Sequence, residues 1–347
     1  MFSIEVNMTY SPTLEDRISG AFFGMFIGDA LAMPVHWYYN TQALRRDYGE
    51  VTDFLQPRNP HPDSILWRSS YSPVNSKADI LHEQAQYWGV KGIHYHQFLK
   101  PGENTLNLKL ARELLILIQQ KSYYSSEIWL ERMIEFLTFP GAHNDTYAEE
   151  YLRHFFMAYA QGSAADECGR SDEKHIGGYS LMLPLVLAYC QAPEYARQIS
   201  LEHLALTHGG HTMYIWGDLI ARALLYTIQG QTLRDAIMVA VKESNVDIDV
   251  VTLESFSNYP DTTVVGKHFS SACYVEYAVP ATLYLALKYA DSPEEGLIAN
   301  TMCGGDNAGR GTVLGALLGA ACGIKRWPRK WRDGLISPPP FVQLKKQ

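Results

Sequence analysis

Apolar positions recur every three or four residues along most of this chain and alternate with polar ones almost nowhere. The spacing predicts helices over 104–120, 125–139, 147–161, 180–190, 195–207, 212–229, 232–244, 274–290, 293–301 and 309–322, each with one buried face. The segment SPTLEDRISGAFFGMFIGDAL (11–31) joins them, with Ser11 or Thr13 as its N-cap and Glu15 and Asp16 in its first turn. Val246 to Leu253 alternates in part, but the stretch is short and acidic. The pattern implies an all-α fold, many helices around one core, with no linker and no fixed-period repeat over 1–347 and a core of about 11–335. Residues 49–79 are rich in Pro, Ser and Asn and read as one long irregular segment, a type of loop that often binds or covers a ligand. The stretches 163–178 and 258–271 read as shorter loops.

Small residues add a second pattern. Gly20, Gly24 and Gly28 recur every four residues, so one face of the first helix is bare backbone that another helix can approach closely. In a bilayer this spacing marks dimerisation, but Asp16, Arg17 and Asp29 argue against that. Gly311, Gly315, Ala316 and Gly319 give the last long helix a similar face.

Composition narrows the function classes. The 347 residues are 47% apolar and 19% charged, an ordinary globular balance. A formal charge of −8 argues against nucleic acid as a bulk partner, because neutralising phosphates takes a basic surface. Apolar runs are broken by Pro, Gly or charge before the roughly 20 residues a bilayer needs, so no membrane partner is expected. Glu5 and Asp16 flank a polar start without a signal-peptide pattern. Five scattered cysteines without a CxxC suit reduced thiols. Together these lead us to expect a cytoplasmic protein.

Several polar groups sit where chemistry or capping would use them. Asp306 follows Gly304 and Gly305 and opens the helix of small residues, as an N-cap or as a ligand carboxylate; Arg310 follows one turn later. Asp29 lies in an apolar run, where a carboxylate needs a partner, and Pro34, His36 and Trp37 follow. In Pro101-Gly102-Glu103-Asn104-Thr105, Asn104 or Thr105 can cap the next helix while Glu103 reaches into a site. His94 and His96 share a face if extended, and His208 and His211 are three apart, but no CxxC or HExxH supports zinc. His175, just before Gly177 and Gly178, can contact a ligand or cap a turn. No GxSxG, Walker A or GxGxxG stretch is present.

Three stretches in order carry a family resemblance: GAFFGMFIGDALAMP, ALTHGGHTMYIWGDLIARALL and NTMCGGDNAGRGTVLGALLGA. They resemble the GxxxGDALGxP helix, the Thr-His segment with its small-residue helix, and the GGDTDTxxxxxGAxxGA helix of the ADP-ribosylglycohydrolase family, which includes J1 crystallins. The resemblance implies a compact, orthogonally packed all-α bundle. It implies hydrolysis of an ADP-ribosyl or related N- or O-glycosidic bond in a central cleft holding two Mg²⁺ or Mn²⁺ ions, on a small-molecule or ADP-ribosylated substrate.

The ligand motifs of the family, TDDT and DTDT, fall on Pro101, Gly102, Glu103 and Asn104 and on Asp306, Asn307, Ala308 and Gly309. Each keeps one carboxylate. A dinuclear site needs several anionic oxygens, so Glu103 and Asp306 are expected to hold one ion at most, or none. By family position Glu103, Asp306 and His36 are the catalytic candidates. Asp29, Asn104, His175, Gly177, His208, Gly305, Asn307 and Arg310 are the ligand-binding ones, with Arg310 able to stand in for a cation. Two alternatives remain open: a metal-free, histidine-based enzyme in the same cleft, and a non-catalytic binding or structural protein like the crystallins. His143, Asp145 and the His36-Trp37 pair are the crystallin-like features. The oligomeric state is not legible.

Overall fold

A computed structural model describes residues 11–341 and 343. The reading of the N-terminal start falls partly on residues 1–10, outside the described residues. The chain forms α1 (Leu14–Ala32), α2 (Thr41–Tyr48), α3 (Leu106–Lys121), α4 (Ser126–Thr138), α5 (Glu150–Ala160), α6 (Tyr179–Ala188), α7 (Pro193–Ala205), α8 (His211–Ile228), α9 (Leu233–Ser244), α10 (Val250–Ser255), α11 (Asp261–Thr263), α12 (Val275–Lys288), α13 (Pro293–Met302), α14 (Asn307–Cys322) and α15 (Arg329–Gly334). Among the described residues no sheet forms; two isolated bridges pair Arg170 with His208 and His175 with Tyr274. The fold is all-α, as the periodicity predicts. The helix α2 was not foreseen. It is short, and Asn40 starts it by accepting the N–H groups of Gln42 and Ala43.

The two glycine faces meet each other. A Cβ added to Gly20 would strike Gly319, one on Gly24 would strike Gly315, and one on Gly28 would strike Gly311, in each case at the backbone carbonyl. As one number rises by four its partner falls by four, so α1 and α14 run antiparallel with their backbones in contact. Only glycine permits that approach. Thr13 opens α1 as N-cap in a capping box with Asp16, and Trp327 donates its indole N–H to the carbonyl of Gly20 at 2.8 Å. Helices α6, α8, α12 and α13 pack around α14, leaving most of its side chains buried.

This packing corrects one expectation. The stretch Leu14–Val35 is long and apolar enough to cross a membrane by length and composition, with mean hydropathy 1.5; 89% of its most apolar window is buried inside the protein. A helix apolar all round is what a central core element requires.

The antiparallel seam brings the C-terminal end of α1 beside the N-terminal end of α14. The chain leaving α1 is clamped there. Trp37 N–H donates to Gly305 O at 2.8 Å, and Gly305 N–H donates back to Tyr38 O at 2.7 Å. Gly304 and Gly305 have φ of 63° and 61°. A side chain on either would collide with the carbonyl of Tyr38 or Ser271. The long irregular stretch after α2 is tied to the same exit. His61 Nε2 lies 3.0 Å from His36 O, and His94 Nε2 lies 3.0 Å from Pro34 O. These two rings are therefore fasteners rather than metal ligands. Burial lowers the pKa of both, so they act as neutral donors.

Candidate active site

Where the seam ends, four side chains form a continuous hydrogen-bonded row. Asp306 Oδ1 lies 3.1 Å from His36 Nε2, His36 Nδ1 lies 2.8 Å from His96 Nε2, and His96 Nδ1 lies 2.7 Å from Asp145 Oδ1. All four are buried. Asp306 is also the N-cap of α14, accepting Gly309 N–H at 3.0 Å, so capping and chemistry share one residue. The far end is fixed by Leu106 N–H, which donates to Asp145 Oδ2 at 3.1 Å. The His36 ring is stacked on Trp37 at 3.9 Å. Trp37 has a φ of 62°, a left-handed conformation unfavourable for a bulky residue, and the backbone pairing with Gly305 holds it there.

Three hydrogen bonds need three protons, and two neutral imidazoles carry only two. The row therefore holds one imidazolium between two carboxylates, for a net charge of −1. Burial pushes the pKa of His36 down more than Asp306 pushes it up. Burial also opposes charge on Asp306, but His36, Arg310 and the Gly309 N–H outweigh it and keep the carboxyl below its usual range. Asp145 is held low in the same way, burial being overcome by His96 and Lys109.

His36 and His96 face a recess of about 10 Å³, also lined by Asn107, Tyr147 and Glu149, about the space one water needs. Trp37, Tyr147 and Glu149 line both this recess and an open cleft of about 550 Å³. The cleft wall is aromatic. Trp37 meets Tyr95 edge-on at 4.6 Å and Tyr147 at 4.7 Å. Trp67, Arg68 and Lys91 form the rim, with the Arg68 guanidinium 4.6 Å from the Trp67 ring. Glu149, just before α5, stands at the junction of cleft and recess. Burial, then the charge of Asp306, pushes its carboxyl up to about 8, while His175 and a 2.6 Å hydrogen bond from Asn107 Nδ2 restrain the rise. That shift favours the protonated carboxyl.

The candidates read from the sequence separate into groups. His36 and Asp306 converge. His175 lines the same cleft, and a Cβ on Gly177 would come within 2.9 Å of both Glu149 carboxylate oxygens. Asp29 and Asn104 also meet, but as a structural pair: Asp29 accepts from Thr105 Oγ1 at 2.6 Å, Thr105 N–H at 2.9 Å and Asn104 Nδ2 at 2.8 Å. Those bonds pin the start of α3 onto α1.

Four expectations need correction. Glu103 does not join Asp306; its turn sends the side chain to Lys109 at 2.7 Å and to Lys100 N–H at 2.9 Å. Arg310 does not face the cleft. It is fully buried and donates to Asn300 Oδ1, Ser271 O and Gly304 O, bracing the glycine turn. His208 sits behind Gly178 against the Tyr151 ring at 4.3 Å. Asn307 donates to the carbonyls of Val35 and Thr301. Gly305 serves the backbone clamp described above.

The expected metal site does not fit these residues either. A hard dication needs several free anionic oxygens. Here Asp306 Oδ1 is engaged by His36 and Gly309, both oxygens of Asp29 are engaged, and Glu103 is paired with Lys109. Among the described residues no group of three or more His, Cys, Asp or Glu is arranged to hold a metal ion. Glu149 was missed because, in the first turn of the helix read over 147–161, it looks like an ordinary helix-start glutamate; the structure makes it the N-cap of α5. His96 was noted only with its neighbour His94.

Curated proteins offer no match to this chain. A solved structure described as an ADP-ribosylglycohydrolase-related protein complex is similar to it, with a TM-score of 0.61, 21% identity and 93% of each chain covered, a likeness of fold. The sequence model of the ADP-ribosylglycohydrolase family matches residues 10–344. With nearly its whole length matched, this chain belongs to the ADP-ribosylglycohydrolase family.

Proposed function

We propose that this chain hydrolyses the glycosidic bond of an ADP-ribosyl or nucleoside-like substrate, with Glu149 and the His36–His96 row acting in place of a metal pair. The observation that carries the reading is the position of Glu149. Its protonated carboxyl stands between a cleft large enough for a nucleotide-sized ligand and a water-sized recess beside the histidines. Aromatic walls suit a nucleobase or sugar face, and Arg68 and Lys91 at the rim suit phosphate.

Glu149 donates its proton to the departing oxygen or nitrogen as the bond to the anomeric carbon breaks. Positive charge growing on the sugar ring is stabilised by the net negative charge of the Asp306–His36–His96–Asp145 row. Water in the recess attacks the anomeric carbon. Its proton passes to a carboxylate of the row and from there to solvent, and solvent reprotonates Glu149. None of these steps calls on a cation.

The test is release of free ADP-ribose from ADP-ribosylated amino acids, protein and nucleosides, with EDTA present throughout. Turnover in EDTA that falls about 100-fold in Glu149→Gln is the expected result. No turnover on any of these substrates, or turnover restored only by Mg²⁺, would sink the reading.

A further inference from the structure

Three successive residues at the start of α3 each hold a carboxylate. Thr105 donates to Asp29 through its N–H and its hydroxyl, Leu106 N–H donates to Asp145, and Asn107 Nδ2 donates to Glu149 Oε1 at 2.6 Å. The third contact is made by an amide, and an amide can face its partner either way round. With Nδ2 forward it donates to the carboxyl; with Oδ1 forward it can only accept. The two arrangements have opposite consequences for an acid. When Nδ2 faces Oε1, that oxygen is an acceptor and the acid proton sits on Oε2. When Oδ1 faces Oε1, the proton is drawn onto Oε1 and held between the two side chains.

Tyr151 makes the choice. It lies on α5 two residues beyond Glu149, is buried, and donates its hydroxyl to Asn107 Oδ1 at 2.8 Å. Among the described residues no other acceptor takes this proton. Turning the amide over would leave a buried O–H without an acceptor, which costs more than a hydrogen bond ordinarily contributes. The Tyr151 ring is itself packed against the His208 ring at 4.3 Å. Gly177 closes the remaining side, since a Cβ there would come within 2.9 Å of Asn107 Nδ2 and of both Glu149 oxygens. The hydroxyl therefore sets the amide, and the amide sets the carboxyl.

We infer that Tyr151 is a positioning residue whose hydroxyl locks the Asn107 amide, so that Glu149 carries its proton on Oε2, the oxygen Asn107 leaves free. The inference rests on the reading of Glu149 as the acid. In that step the proton leaves Oε2 for the departing atom, and the electron pair of the O–H bond stays on the carboxylate, whose Oε1 already accepts from Asn107. The locked amide thus favours release of the proton, and the turned amide would retain it. Burial and then Asp306 raise the Glu149 carboxyl, His175 and Asn107 restrain the rise, and Glu173 adds to it. His36, His96, Asp145 and Tyr147 share its recess, and Cys273 and Glu150 share its cleft. Replacing Tyr151 or Asn107 leaves all of these groups in place.

The test needs no turnover, so its outcome is separate from that of the hydrolytic reading. The full-length chain is labelled with ¹³C at the glutamate carboxyls and titrated by NMR, the Glu149 signal being the one missing from Glu149→Gln. In Tyr151→Phe the amide is free to turn Oδ1 to the carboxyl, which favours the acid form. The Glu149 midpoint is expected to rise by about one pH unit, a gain of about tenfold in proton affinity. Asn107→Ala removes the donor outright and is expected to raise the midpoint by a similar amount, with no further rise when Tyr151→Phe is added to it. An unchanged midpoint in either single variant would overturn the inference. So would a full second rise in the double variant, because Tyr151 would then act without Asn107. On a substrate that turns over, Tyr151→Phe is expected to lower kcat about tenfold with KM changed less than about twofold, and an unaltered kcat would also overturn it. Absence of all turnover would sink the hydrolytic reading and leave the lock to be decided by the titration.

Discussion

The rings of His36 and His96 lie parallel within 5°, with Nδ1 of the first 2.8 Å from Nε2 of the second. Each ring turns its other nitrogen to a carboxylate, at 3.1 Å and 2.7 Å. The pair is thus a buried two-ring hydrogen-bonded path rather than two separate bases, with a carboxylate at each end. Asp145→Asn keeps the shape but removes the counter-charge. The expected result is a fall in kcat of about 100-fold with KM changed less than threefold. Steady-state kinetics on a turned-over substrate would check it, and an unchanged kcat would exclude the row from the chemistry.

Glu149 makes a pH prediction. Its carboxyl is raised from 4.5 to about 8, so the acid form is present through neutrality and lost as pH rises through 8. The rate is expected to decline above pH 8 and that limb to vanish in Glu149→Gln. Stability carries the same sign. A raised carboxyl stabilises the folded state fully below about 4.5, and this contribution is lost progressively up to about 8. Melting temperatures of Glu149→Gln and the parent chain should therefore diverge in favour of the variant between about pH 4.5 and 8 and keep a constant gap above that. Parallel melting curves from pH 5 to 9 would contradict the assignment.

The pairing of Glu103 with Lys109 separates two readings of this site. If Glu103 held a catalytic metal, Glu103→Ala would abolish activity. With the side chain turned to Lys109 in a partly exposed ion pair, the variant is expected to keep activity within about twofold and to lose at most about 1 kcal/mol of stability. Kinetics in EDTA and in Mg²⁺, together with urea denaturation, would measure both.

The glycine seam predicts a large effect from one methyl group. A Cβ on Gly24 would overlap the backbone carbonyl of Gly315, and one on Gly315 the carbonyl of Gly24. Backbone cannot swing aside as a side chain does, so Gly24→Ala is expected to destabilise by about 3 kcal/mol or more. Gly230 has open space around it but a φ of 101°, so Gly230→Ala is expected to lose less, about 1 kcal/mol. Chemical denaturation of the two variants would rank them, and equal losses would mean that the seam is looser than described.

How far the sequence reached depends on the range of each interaction. Helix periods are local, and α3 to α9 and α12 to α14 appear close to their predicted spans. The glycines at every fourth position announced a close helix contact, because no other residue type leaves backbone bare. His36 and Asp306 were placed in one cleft through the order of family-like stretches. Other features depend on where a side chain points, which spacing does not encode. Glu103 lies in a turn whose geometry directs it to Lys109. Arg310 is an ordinary helical arginine by pattern, yet its guanidinium is spent on main-chain carbonyls. His96 finds His36 60 residues earlier and Asp145 49 residues later, and Glu149 owes its raised pKa to burial that no local pattern reports.

The antiparallel contact of α1 with α14 also fixes a timetable. The chain is made from its N-terminus, so α1 emerges early with its bare glycine face uncovered. The helix that covers it, and that carries Asp306 at its N-cap, leaves the ribosome long after α1. His36 and Asp306 stand 270 residues apart in sequence, a separation that makes their meeting a late event in folding. No partly synthesised chain lacking α14 contains the assembled site, so the proposed chemistry is confined to molecules in which α14 has been made.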